Sequence, residues 1–100
     1  MWFITVFEKM EQTEQSFPKM GSSRTWGYFS DKSWALEALH ENITDMWETC
    51  YDYAVLEYFD EGLIPVGIDR QFFKYDRKRN GYFEIEEPEF MKRICNFAIG

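Results

Sequence analysis

Alternation of apolar and polar positions with a period of two runs through both halves of this chain, and a period near 3.6 occupies one stretch between them. Trp2 to Glu8 (WFITVFE) sets Trp2, Ile4 and Val6 on one side and Phe3, Thr5 and Phe7 on the other. β-Branched and aromatic residues at that density predict a strand, and two apolar sides predict a central one. Gln12 to Ser23 is polar, with Pro18 and Gly21, and reads as a loop into a second strand near Arg24 to Phe29. Gly27 inside that strand signals a bulge or a close backbone approach. Ser30 or Asp31 then caps a helix expected to run to about Trp47. Ala35, Leu39, Ile43 and Met46 form its expected buried stripe, flanked by Trp34, Ala38 and Trp47.

The second half returns to strands. In Tyr51 to Phe59 (YDYAVLEYF), Ala54, Leu56 and Tyr58 share one face and Tyr53 and Val55 the other. Asp60-Glu61-Gly62 makes a turn, and Leu63 to Ile68 is broken by Pro65 and Gly67 into an irregular edge. Gln71 to Tyr75 and Tyr82 to Ile85 predict an aromatic hairpin around Asn80-Gly81, residues that accept positive φ. Pro88 suits the first turn of a closing helix with Phe90, Met91, Ile94 and Phe97 on its apolar side. Glu86, Glu87 and Glu89 before Lys92 and Arg93 complement that helix's dipole. The order ββαβββα predicts one α+β domain over residues 1–100, a small antiparallel or mixed sheet of four to five strands with two helices.

Composition narrows the function classes. The 100 residues include 20% aromatics, more than one small core hides, so some rings are expected at an interface. The formal net charge of −7 opposes direct nucleic-acid binding, since phosphate neutralisation needs a cationic surface, and suits docking on a basic partner. Two cysteines, Cys50 and Cys95, make no disulfide framework and are expected to be buried or half-buried. With one histidine, His40, there is no Cys/His metal pattern and no adjacent partner for a triad. No apolar run approaches a membrane span, and Met1 to Ile4 is too short for a secretory core. Cytoplasmic residence is the expectation.

Charged residues supply the remaining candidates. Lys74, Arg77, Lys78 and Arg79 form a basic hairpin tip. Glu41, Asp45, Glu48 and Asp52 follow the first helix, and Glu84, Glu86, Glu87 and Glu89 the hairpin. These eight are the expected acidic docking surface, because spaced carboxylates can imitate a phosphate backbone in a basic channel. Glu84/Glu86 and Asp52/Glu57 are carboxylate pairs, but scattered carboxylates are surface charge far more often than acid–base catalysts. No catalytic constellation stands out.

Asp76 to Glu87 resembles an EF-hand loop. The resemblance implies calcium as an alternative cofactor, held by Asp76, Asn80, the Tyr82 carbonyl and Glu87. Lys78 occupies a ligand position of that pattern, and Arg77, Lys78 and Arg79 offset three of the loop's four carboxylates. The hairpin is therefore the preferred reading, with no cofactor. Finally, Met1-Trp2-Phe3-Ile4-Thr5, Arg24 to Phe29 and Asn96 to Gly100 resemble a group of short bacterial proteins, common in gut bacteria and their mobile elements, that carry no assigned activity. That resemblance implies a bacterial or phage-related cytoplasmic origin. The combined expectation is a non-enzymatic acidic protein-binding module, a mobile-element inhibitor of the anti-CRISPR type docking on a basic partner such as a nuclease. A calcium-responsive module and a small-ligand binder or enzyme are the alternatives.

Overall fold

A computed structural model of the chain describes residues 1–12, 18–61, 69–93 and 97–98. The elements are β1 (Trp2–Phe7), β2 (Met10–Gln12), β3 (Pro18–Met20), β4 (Ser23–Phe29), α1 (Lys32–His40), β5 (Tyr53–Tyr58), β6 (Asp69–Asp76) and β7 (Gly81–Ile85). Five strands make one antiparallel sheet in the order β4-β1-β5-β6-β7, and β2 pairs with β3 as a separate two-stranded hairpin. β1 is hydrogen-bonded on both edges, as its two apolar sides require. Opposite Ile4/Thr5 the β4 register slips by one residue: Ile4 faces Gly27 and Thr5 faces Thr25, leaving Trp26 as the bulged residue. A bulge sharpens local twist and re-aims the side chain it carries.

The period of two sorts the sheet residues into two cores. Ile4, Val6, Ala54, Leu56, Phe73 and Tyr82 pack beneath Ala35, Ala38 and Leu39 of α1 and Met46 beyond it. On the opposite face Phe7, Val55 and Phe72 are covered by Met91 and Phe97. Each fully buried Leu or Phe here contributes roughly 1.5–3 kcal/mol from area removed from water. α1 starts where expected: Asp31 is extended (φ −116°), and its Oδ1 accepts from the Ser33 N–H at 2.8 Å.

The α+β class holds, but the element order and the second helix do not. In place of a second helix the described closing segment is a 3₁₀ turn, Glu89–Arg93, and of the expected apolar side Met91 and Phe97 are buried. α1 ends at His40 rather than near Trp47, stopped by a left-handed Asn42. The stretch expected to be loop before β4 contains β2 and β3, with Met10 opposite Met20. Leu63 to Ile68, Ile94 and Cys95 lie outside the described residues. Cys50, expected buried or half-buried, is exposed. No described helix is long and apolar enough to cross a membrane.

The hairpin is present, and its tip differs in one particular. Asp76 pairs with Gly81, so the turn is Arg77 to Asn80, and Asn80 supplies the positive φ (50°). Gly81 is needed for a different reason. Its backbone lies against the His40 carbonyl at the end of α1, where no Cβ fits.

Candidate functional site

The connection from α1 to β5 presents the first acidic group. α1 ends in a Schellman-type closure: Asn42 is left-handed (φ 49°), its N–H reaches the Leu39 carbonyl at 3.3 Å, and the Ile43 N–H reaches that of Ala38 at 3.0 Å. Asparagine accepts this conformation because its short polar side chain bonds locally. Here Nδ2 donates to Asp45 Oδ1 at 3.0 Å while Oδ1 accepts from the Trp47 N–H at 3.4 Å. Asn42 is itself buried, so these bonds also satisfy its amide. Thr44 (φ 66°), Asp45 (φ 53°) and Cys50 (φ 65°) are left-handed too, on either side of a 3₁₀ turn Met46–Thr49. Met46 plugs the core beneath.

Such a backbone is held against its local preference by the structure around it. Thr44 Oγ1 accepts from Trp26 Nε1 at 2.6 Å, and Trp47 Nε1 donates to Asp52 Oδ1 at 3.0 Å. The Cys50 side chain is exposed, so Cys50→Gly isolates the conformational term. We expect it to raise stability by roughly 0.5–1 kcal/mol in urea titration; a loss of that size would show that Cys50 is not strained.

Glu41, Asp45, Glu48 and Asp52 are all exposed on this connection. Asp52 and Asp45 also act on one buried group. The Tyr82 phenol is held well above its usual range, first by burial, then by Asp52, Tyr75 and Asp45, and it donates to the Tyr51 carbonyl. The structure therefore brings Asp45 and Asp52 of the first four predicted carboxylates to one phenol and leaves Glu41 and Glu48 exposed on the same connection.

It does not add the second four. Glu84 accepts from Gln71 Nε2 at 2.9 Å, Glu87 pairs with Arg70 at 3.2 Å, and Glu89 pairs with Lys92 at 2.9 Å. The last pair raises the Lys92 pKa through the Glu89 hydrogen bond. Glu86 is exposed. Arg70 lies opposite Glu57 in the ladder, five residues along β5 from Asp52. At the rise of a strand that is roughly 17 Å. Two acidic groups that read alike in sequence differ: no described cation pairs with a carboxylate of the first, whereas in the second Glu87 and Glu89 are ion-paired, Glu84 accepts from a neutral amide and Glu86 is exposed.

The basic tip folds back onto the protein's own rings. Arg77 lies 5.2 Å over Trp47, which stacks on Tyr75 at 4.9 Å. Arg79 lies 3.6 Å over Phe83, whose other side stacks on His40 at 5.2 Å. Lys74 sits 5.8 Å over Tyr53. Lys78 is exposed, and its N–H caps Asp76 Oδ1 at 2.9 Å.

The side chains of the calcium alternative have other partners. Asp76 Oδ2 accepts from Arg79 Nε at 2.8 Å, a bond that is the main cause of its depressed pKa. Asn80 Oδ1 accepts from the Tyr75 hydroxyl at 2.6 Å, Tyr82 lies within β7, and Glu87 is held by Arg70. Among the described residues no three His, Cys, Asp or Glu side chains are grouped as metal ligands would be.

One titratable residue gained no weight from sequence reasoning. Glu57, in the middle strand β5, is 0% exposed. Both carboxylate oxygens accept from the Phe97 N–H at 3.0 Å, and Oε1 also accepts from the Ala98 N–H at 3.1 Å. Burial pushes its carboxyl up to about 7, against the smaller downward pull of those N–H groups and of Arg70. The available signal was period-two placement on the Val55 face, which is covered. No family model, curated protein or solved structure matches the chain.

Proposed function

We propose that the chain is a non-enzymatic protein-binding module that docks through the connection Glu41 to Asp52 on a basic surface of a partner. One observation carries this reading: four exposed carboxylates project from a backbone held in three left-handed non-glycine conformations around the buried Asn42, with a fourth at Cys50. Strain of this kind persists where surrounding structure over-determines it, and it collects at binding sites. A pre-set loop also loses little freedom on association, which favours affinity without a large apolar area. The partner class follows from charge. Proteins that hold nucleic acid carry the required cationic surface, and a nuclease inhibited by occupation of its channel, as anti-CRISPR proteins do, fits the module's net −7.

The test uses Glu41→Lys/Glu48→Lys, since neither side chain has a described partner. Affinity capture from a bacterial lysate, quantified by mass spectrometry, is expected to return a saturable partner with the wild-type chain. The double reversal should lower its retention by about tenfold or more, because like charges then face each other at the rim. Retention should also fall as salt rises from about 0.05 to 0.5 M, when screening shortens to a few ångströms. Retention indifferent to both changes would refute acidic docking.

A further inference from the structure

Beside the acidic connection lies an apolar hole of about 140 Å³, walled by Ile4, Trp26, Phe29, Ala38, Ile43 and Met46. Three features made it. Asn42 turns the chain so that Ile43 comes back against Ala38, the contact that accompanies this kind of helix end. The bulge places Trp26 at the side, where its indole N–H is taken by Thr44. Gly27 leaves the floor open, for a Cβ there would meet only Phe29 Cε2, at 3.7 Å.

The chemistry of the walls restricts the occupant. Thr44 is the one polar side chain at the hole, and its oxygen accepts from the Trp26 indole, so the lining offers a ligand no charge and a single hydroxyl. An apolar space of about 150 Å³ accepts a benzene-sized group, about the size of one Leu, Met or Phe side-chain end. Ile43, 45% exposed, stands at the mouth, so the hole can be entered from solvent. Glu41, Asp45 and Glu48 bracket Ile43 and Thr44 in the chain and are exposed, whereas one cation, Arg24, is described on the Trp26 ring at 5.5 Å. Alongside, β4 is the end strand of the sheet, and among the described residues no strand pairs with its outer edge. An extended segment added to such an edge gains main-chain hydrogen bonds and sends alternate side chains to one face.

We propose that this hole takes a single apolar side chain from an extended, basic segment of the partner, which lies along the outer edge of β4 with its cations against Glu41, Asp45 and Glu48. The inference rests on the acidic-docking reading above and names the anchor within it. A second copy of the chain is the poorer occupant, because it brings the same net −7 and the same carboxylates to the contact.

The test is a titration of the ¹⁵N-labelled chain, followed at the Trp26 indole N–H and the Gly27 amide. The probes are a capped peptide of alternating Lys and Thr with one central Leu, and its Leu→Ala twin. The Leu peptide should shift both signals saturably and bind about tenfold or more tightly than the Ala twin, the value of burying one such side chain. Gly27→Leu, which fills the hole from its floor, should erase the difference between the twins with the spectrum otherwise dispersed as in the wild type. Ile43→Lys, at the exposed mouth, should do the same and guards against misfolding of the first variant. Equal binding of the twins, or an undiminished difference in both variants, overturns the hole as an anchor. So does shifting of these signals on concentrating the chain alone, or with toluene but not the peptide. Glu41→Lys/Glu48→Lys separates the two levels. If it weakens both peptides while the twins bind equally, acidic docking stands and the anchor falls. If it changes neither peptide, acidic docking falls and takes this proposal with it.

Discussion

Glu57→Gln is expected to abolish a loss of stability that the wild-type chain undergoes between pH 4.5 and about 7. The folded-state carboxyl titrates near 7 and the unfolded one near 4.5, so across that window the folded state retains a proton the unfolded state has released. Stability then falls as pH rises, by up to about 1.4 kcal/mol per unit, and is level again above pH 7. The whole effect is on the order of 3 kcal/mol, a large share of the roughly 5–15 kcal/mol that holds a domain together. Glutamine keeps an oxygen for the Phe97 and Ala98 N–H groups and carries no charge to desolvate, so its curve should lack this slope and lie above the wild type at pH 8. Glu57→Ala separates the hydrogen bonds from the charge. At pH 5, where the wild-type carboxyl is neutral, it should cost about 2–4 kcal/mol, because two N–H groups lose their acceptor and a void opens. Urea titrations of the three proteins from pH 4 to 8 measure this. Parallel wild-type and glutamine curves across the window would show that Glu57 ionises as if in water.

Gly81→Ala is the second large effect. An added Cβ would stand 1.8 Å from the His40 carbonyl oxygen and 2.6 Å from its carbon. Both atoms are backbone, so no rotamer change relieves the overlap. Either the end of α1 lifts from β7 or the hairpin slides, and both movements disturb the Phe83 ring held between His40 and Arg79. Overpacking ordinarily costs about 1–3 kcal/mol, and a rigid neighbour puts this case at the upper end or beyond. A fall in Tm of roughly 10–20 °C follows for a chain of this size. Gly27→Ala, which enters open space, serves as the comparison and should change Tm little. A Gly81→Ala chain melting with the wild type would mean that α1 is not seated on β7.

The strands were legible because a sheet with two covered faces imposes its period on the residues. WFITVFE and YDYAVLEYF show that period, Gly27 marked the bulge, Asp31 the helix start and Asn80 the tip. The helix end was not read, because the apolar spacing runs on through Ile43 and Met46 while a single left-handed asparagine stops the helix. Met46 is buried all the same, delivered by a 3₁₀ turn instead of a helix face. Glu57 was undervalued because its acceptor role depends on a backbone arriving forty residues later in the chain. The two acidic groups looked equivalent for a similar reason. Whether a carboxylate is free depends on which cation the fold delivers, and Arg70 goes to Glu87 rather than to Asp52.

That difference between the acidic groups is where the functional proposal is most exposed to test. The decisive measurement is the affinity of the captured partner for two charge-reversed chains, Glu41→Lys/Glu48→Lys and Glu86→Lys/Glu89→Lys, against the wild type at about 0.1 M salt. Both doubles change the net charge by the same amount, so a general field effect would weaken them equally. Docking through the connection after α1 predicts a loss of about tenfold or more for the first pair and less than about threefold for the second. Equal losses, or a larger loss for the second pair, would contradict it.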